Sequence, residues 1–225
     1  MIKVAQCWDD GVINDIKVAD LCRKYGAKAT FNLNPALHHA TERLINKQPF
    51  KDSNFYSGRL AWNEVTSVYE GFDVASHCMC HCNAAVVDAS VFLADAYSAR
   101  SILEDLFQKE CRGFAWPYGQ YTQKTADLLL EAGFAYGRTT KNSDRVTGFE
   151  HPMILHSSCH FLVEDFWERF EKVKNTDGVF YFWGHSYEMM DDPQLWADYE
   201  DKLRRFAEDP EVEWISTTEL VKKDL

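Results

Sequence analysis

Apolar residues in this chain gather in short blocks, and most blocks are followed by a longer stretch with helical spacing. Positions 2–7 form a strand-like run that ends at Trp8-Asp9-Asp10-Gly11. Residues 14–25 follow, with Ile16, Ala19 and Cys22 on one helical face and Gly26 as the stop. Residues 28–33 read as a second strand. After an irregular stretch from Asn34, residues 62–69 are helical and end at Gly71, and 72–75 form a strand running into His77. The order then repeats: helix 88–109, strand 113–116, helix 123–131 closed by Gly133, strands 134–139 and 153–156, and helix 163–174. An aromatic strand at 178–183 reaches Gly184-His185, and helix 195–207, strand 212–216 and a short helix at 218–221 complete the chain.

Strand–helix alternation of this kind implies parallel strands joined by crossover helices. Seven or eight strands in 225 residues predict an α/β fold, a distorted (β/α) barrel rather than an open sheet. No internal repeat or low-complexity linker interrupts the pattern, so residues 1–225 are expected to form one domain. In parallel folds the C-terminal strand ends open on one face, where active sites are built. The polar outliers all follow strands: Asp9 and Asp10, His77, Pro117-Tyr118-Gly119 and His185. Their predicted convergence is the argument for an enzyme. Residues 34–61 are long for a connection, about 28 residues, and read equally as a lid over that rim or as a surface excursion.

Composition narrows the partners. Hydrophobic residues make up 46% and charged residues 26%, which is globular usage. The formal charge of −11 opposes binding to a phosphate backbone. The densest basic runs, Lys202-Leu203-Arg204-Arg205 and Lys222-Lys223, read as solvated helix faces, so no nucleic-acid partner is expected. No stretch has the length of a transmembrane helix, and no membrane partner is expected. Met1 leads directly into the first strand without a basic and apolar leader, and the seven cysteines are an odd, scattered set. Reduced thiols in a cytoplasmic protein are the expectation.

The densest chemistry lies in Ser76-His77-Cys78-Met79-Cys80-His81-Cys82-Asn83, with two histidines and three cysteines in eight residues. One reading is a structural thiolate site. It needs four ligands in a closed set, and the C-x-C-x-C spacing lacks a second cysteine pair to complete it. The other places His77 and His81, four apart, on one side of a turn as metal ligands. Three protein ligands suffice for a catalytic ion, and Asp9-Asp10 offers a carboxylate. Taken alone, two adjacent aspartates before a glycine also fit an ordinary turn.

Four segments then carry a resemblance. Cys7-Trp8-Asp9-Asp10 is similar to Thr-Phe-Asp-Asp, and His77-Cys78-Met79-Cys80-His81 to His-Ser/Thr-x-x-His. Ala115-Trp116-Pro117-Tyr118-Gly119 matches Arg-x-Pro-Tyr/Phe-Gly at its last three places, and Trp183-Gly184-His185 resembles Leu-x-His. These are the motifs, in order from residue 7 to 186, of the polysaccharide deacetylase family, the NodB-homology or carbohydrate esterase 4 group. Each motif alone has little specificity; their order carries the resemblance.

The resemblance implies a distorted (β/α) barrel acting as a deacetylase, with one divalent metal ion, zinc first and other transition metals next, on Asp10, His77 and His81. It implies Asp9 as general base, His185 as general acid and the backbone N–H of Tyr118 at the oxyanion. Trp116, Pro117, Trp183 and Tyr187 flank the motifs as candidate substrate contacts. Three departures stand out. Ala115 occupies the place of the arginine that pairs with the base in many members, and Cys78 replaces a hydroxyl residue that braces the metal loop. No aspartate is evident to orient His185; Glu188 is a stand-in, against a reading as a solvated helix-start glutamate. His151, His156 and His160 read as structural histidines.

The expected activity is metal-dependent hydrolysis of a non-peptide C–N bond, with an N-acetylated sugar or oligosaccharide as the partner. The alternatives are a relative acting on a non-sugar linear or cyclic amide, and a catalytically inactive carbohydrate-binding relative.

Overall fold

The computed structural model describes residues 1–176 and 178–221, so Lys222-Lys223 lies outside the described residues. The chain runs β1 (Ile2–Asp9), α1 (Asp15–Tyr25), β2 (Thr30–Leu33), β3 (Leu44–Ile45), β4 (Gly58–Arg59), α2 (Trp62–Val68), β5 (Asp73–Ser76) and α3 (Ala89–Phe107). It continues through β6 (Gly113–Ala115), α4 (Gln123–Glu131), β7 (Tyr136–Asn142), β8 (Leu155–Ser157), β9 (Cys159–His160) and α5 (Phe166–Lys174). It closes with β10 (Val179–Gly184), α6 (Pro193–Glu208), β11 (Val212–Trp214) and α7 (Thr217–Val221).

The main sheet has the order β8-β7-β6-β5-β2-β1-β10-β9, with β11 added to β1. All its pairings are parallel. Strands β8 and β9, adjacent in sequence, stand at the two ends of that order. Arg138 of β7 pairs with Leu155, Phe182 of β10 pairs with Cys159, and the intervening Ser158 N–H donates to Tyr181 O at 2.6 Å. This short segment therefore touches β7 with one half and β10 with the other, and brings the sheet round into a nearly closed barrel. The α/β barrel expected from the alternation is the fold observed.

Strand periodicity decides what each side of the barrel holds. In β1, Ile2, Val4 and Trp8 face outward into a cluster with Phe31, Leu33, Phe180 and Phe182. Ala5 and Cys7 face inward with Val179, Tyr181, Tyr136 and Leu155. Asp9 continues the inward set of β1, and His185 continues the inward set of β10. Helices α1, α5 and α6 cover the outer face, and the rings of Phe166, Phe170, Phe180 and Phe206 meet at centroid distances of 5.1 to 6.3 Å.

Three parts were not legible as elements, the short β9 among them. Residues 34–61 contain the antiparallel pair β3–β4, and β7 extends to Asn142 through a register shift against β8. The return limb of the excursion is pinned beside the first strand's end: Ile13 N–H donates to Gly58 O at 2.9 Å and Leu60 N–H to Gly11 O at 3.1 Å. It is a fixed wall rather than a free surface excursion. Gly11 serves that junction, because its φ is +65° and a Cβ there would come within 2.7 Å of the His38 ring.

Asp15, at the start of α1, locks the turn after β1 to the loop after β10. Its carboxylate accepts from Ser186 Oγ at 2.5 Å, Tyr69 Oη at 2.6 Å and Val12 N–H at 3.1 Å. Burial pushes this carboxyl up to about 7 against the opposing effect of those donors. Asp15→Ala leaves three buried donors without an acceptor and is expected to cost roughly 2–4 kcal/mol in urea unfolding. An unchanged midpoint would show that this junction does not hold the fold together.

Candidate active site

The inward carboxylate of β1 is gripped from two sides. Asn32 Nδ2 on β2 donates to Asp9 Oδ1 at 2.7 Å, and an Arg138 Nη on β7 donates to Asp9 Oδ2. The Asp9 and Arg138 side chains are 3% and 1% exposed. Burial alone would raise the Asp9 carboxyl, but Arg138, followed by His77 and His185, outweighs it and holds the group well below the usual carboxylate range. The guanidinium also stacks over Trp183, 4.6 Å from the ring centroid.

Arg138 accounts for the departure at Ala115. Ala115 on β6 and Arg138 on β7 are directly paired in the sheet register. An arginine on the neighbouring strand thus reaches the same carboxylate. Sequence motifs did not reveal it, because its partner is 129 positions away. Its signal was a lone charge within a strand.

Asp10, His77 and His81 come together at the rim, each offering a donor atom within 4.8 Å of the others'. His77 extends β5, and its Nδ1 donates to Ala115 O at 2.7 Å, leaving Nε2 with the lone pair. Burial pushes His77 down to about 4 and lowers His81 as well. Both imidazoles are therefore neutral near pH 7, the ligating form. For Asp10, burial is opposed by Arg59, His77 and His185, and the carboxyl ends below its ordinary value. Two neutral imidazoles and one carboxylate suit a divalent transition-metal ion.

The loops holding these groups are strained. Asp10, Cys78, His81 and Tyr118 take φ of 86°, 64°, 56° and 59°, conformations costing about 1–3 kcal/mol each. Polar side chains hold the turns at Asp10 and Cys78. Asn34 Nδ2 donates to His77 O and, at 3.2 Å, to Cys78 O. Asp95 Oδ1 on α3 accepts from Met79 N–H at 2.7 Å. Arg59 donates to Asp10 O, to Asn34 Oδ1 at 3.3 Å and to Asp10 Oδ1 at 3.4 Å. Asn34 and Asp95 brace the loop in which Cys78 stands for a hydroxyl residue. Polar side chains alternating with Leu33 in Asn32-Leu33-Asn34 were the overlooked sequence signal. The sulfurs stay out of the ligand cluster: Cys78 is buried, Cys80 exposed, and Cys82 bonds Asp95 at 3.5 Å.

His185 follows β10 on the inner face, its Nε2 lying 3.9 Å from Asp9 Oδ2 and 4.0 Å from Asp10 Oδ2. Its Nδ1 donates to Glu188 Oε2 at 3.2 Å. Burial works against protonation of His185, but the bond to Glu188 and the two aspartates prevail and raise it above 6.5. Glu188 is not a solvated glutamate: its side chain is 18% exposed, and it also accepts from His160 Nε2 at 2.8 Å. Burial would raise its carboxyl, yet the bonds from His160 and His185 bring it far below the usual range.

The flanking aromatics divide. Trp116 points outward, 1% exposed, stacked on Phe92 at 5.5 Å and donating Nε1–H to Met153 O at 2.7 Å. It follows outward-facing Phe114 by two positions, so strand parity puts it in the core. Pro117 is likewise buried. Trp183 sits beneath the site between Arg138 and His185 rather than on its surface. Tyr187 is half-buried and meets Phe50 of the excursion edge-on at 5.0 Å. Tyr118 is 61% exposed, with its ring against His81 at 4.5 Å. A cavity of about 220 Å³ beside Asp10 is lined by Arg59, Asn46, Ser57, Phe50 and Tyr187. A larger one, about 440 Å³, opens at the opposite ends of the strands and contains none of these groups.

The sequence model of the polysaccharide deacetylase family matches residues 2–137, more than half of the chain. The chain belongs to the polysaccharide deacetylase family. No curated protein matches it. Among solved structures, a putative polysaccharide deacetylase from Mycobacterium smegmatis is 12% identical, with a TM-score of 0.66 over 99% of this chain and 90% of that one. The Bc1960 peptidoglycan N-acetylglucosamine deacetylase is 15% identical at 0.62, over 98% and 88%. A family 4 acetyl xylan esterase from Clostridium thermocellum, in complex with a cobalt ion, is 12% identical at 0.59, over 97% and 89%. The match to a Streptococcus pyogenes deacetylase spans only 55% of that protein. At such identities the structures bear on the fold of this deacetylase-family chain, which they share.

Arg138→Met tests the buried pair. It strands the Asp9 carboxylate, and an expected loss of about 3–5 kcal/mol at pH 7 is read by urea unfolding. A depressed folded pKa contributes stability above the unfolded value of about 3.9 and loses it as pH falls. The gap between wild type and variant should therefore narrow on acidification; a gap constant with pH would show that Asp9 is not the group affected.

Proposed function

We propose that this family member is a metal-dependent N-deacetylase of a sugar or short oligosaccharide. The observation that carries the reading is the meeting of a His₂Asp donor set with an ionised, arginine-paired aspartate and a carboxylate-bound histidine at one mouth. Asp10, His77 and His81 would hold a divalent ion, zinc first, which would supply Lewis-acid polarisation of the scissile carbonyl.

The chain's own residues do the rest. Asp9 accepts a proton from the attacking water, and Arg138 and Asn32 fix the carboxylate that takes it. The new C–O bond forms as the acyl carbon becomes tetrahedral, and the Tyr118 backbone N–H is the proposed donor to its oxyanion. An amide nitrogen leaves poorly unless protonated. His185 gives its Nε2 proton to that nitrogen as the C–N bond breaks, releasing acetate and an amine. The pull of Glu188 on Nδ1–H favours the charged form of His185 for this step. Tyr118 and Tyr187 at the rim suit the faces of a sugar ring. The buried Asp9–Arg138 pair and the His185–Glu188 bond favour an enzyme over a binding relative, because holding a sugar requires neither.

Metal analysis of the purified protein should find about one divalent ion per chain, and His81→Ala should lose it. Asp9→Asn should keep the ion and release acetate about 10²–10⁴-fold more slowly from a responsive substrate. Full activity in that variant would remove Asp9 from the role of base. A panel of N-acetylated sugars and simple amides, read by acetate and ammonia, separates the sugar reading from other amides. Turnover of simple amides alone would overturn the sugar assignment.

A further inference from the structure

We propose that His160 is a positioning residue of this active site: from the neighbouring strand it clamps the Glu188 carboxylate, and through it the Nδ1–H of His185. This rests on the reading of His185 as the acid.

Glu188 by itself has a local duty. It is the third residue of the turn Ser186–Met189, and its Oε2 accepts the backbone N–H of His185 at 3.0 Å. A capping glutamate needs nothing more. Here the same oxygen also takes His185 Nδ1 at 3.2 Å and His160 Nε2 at 2.8 Å, and the last is the shortest contact. His160 belongs to β9, which pairs with β10 at Trp183, so the clamp comes from outside the turn that carries the acid. Without it, only the backbone cap and the His185 bond hold the partly exposed Glu188, and its carboxylate can turn away from His185 Nδ1 while the cap persists.

His160 is built to donate in that direction. Leu162 N–H points at its Nδ1, 3.3 Å away, which requires a lone pair there and puts the proton of the neutral ring on Nε2. The ring packs edge-on against Trp183 at 4.8 Å and beside Phe161 at 4.9 Å. Gly184 makes room for this approach. A Cβ there would lie 2.1 Å from the Phe161 ring and 3.3 Å from His160 Nε2. The glycine immediately before the acid is thus explained by the strand that carries the clamp. The clamp has the form of the outer-shell partners that fix imidazole orientation around metal sites.

The test is imidazole ¹⁵N–¹³C correlation NMR on the full chain in zinc-containing buffer, at a pH where His185 is neutral. Wild type should show His185 as the Nδ1–H tautomer. His160→Phe keeps the packing but removes the donor, and should give mixed His185 tautomers. His160→Gln places an amide N–H near the position of Nε2 and should restore the wild-type signature. If the Phe variant does not fold, His160→Asn, too short to reach Glu188, serves as the contrast to Gln. On a substrate found by the acetate panel, His160→Phe should lower kcat roughly 10–100-fold with KM unchanged. A wild-type tautomer in the donor-free variants overturns the proposal. The tautomer readout needs no turnover, so a failed deacetylase reading and a failed clamp give different results.

Discussion

Asp9 and Arg138 bury opposite charges against each other on the inner wall of the barrel. Desolvating two ions costs several kcal/mol each, and a packed apolar pair in their place is often as stable or more so. Stability therefore does not account for the pair. What it provides is an ionised carboxylate oxygen, aimed by Asn32 and Arg138, at the mouth of the barrel's inner face. The guanidinium rests on Trp183, which in turn touches His185 and His160. One charge pair thus ties β1 and β7 to the end of β10, and the acid and base of the proposed reaction share a support.

The rim repeats this logic on a smaller scale. Asp10, Cys78, His81 and Tyr118 adopt backbone conformations that side chains disfavour. At Asp10 and Cys78 they are held where Arg59, Asn34 and Asp95 bond the carbonyls and an N–H group of the turns. The aromatic cluster between the outer face of β10 and helices α5 and α6 takes no part in the chemistry and supplies the stability that such strain draws on. Parity along each strand separates the two tasks: even positions of β10 pack outward, and odd positions lead to His185.

The excursion between β2 and α2 forms one wall of the mouth. Its return limb is hydrogen-bonded beside Asp10, and its Phe50 meets Tyr187 across a cavity of about 220 Å³. That wall puts Arg59, Asn46 and Ser57 next to the donor set, so the excursion contributes polar contacts as well as shape.

Much of this was determined by local sequence. Alternating strand and helix periods specified a parallel barrel, and a parallel barrel gathers the residues that follow its strands, so Asp9, Asp10, His77 and His185 were expected on one face; the spacing from His77 and the family resemblance added His81. Register, facing and long-range pairing were decided only by the tertiary structure. Trp116 looked like a ligand contact until strand parity turned it into the core. The missing arginine at Ala115 was supplied by Arg138 from the adjacent strand, and Glu188, already a stand-in three residues after His185, proved to be held by His160 rather than solvated. A motif records which residue is near in sequence, whereas a buried charge requires only a partner near in space, and any strand whose inward position falls in register can provide one.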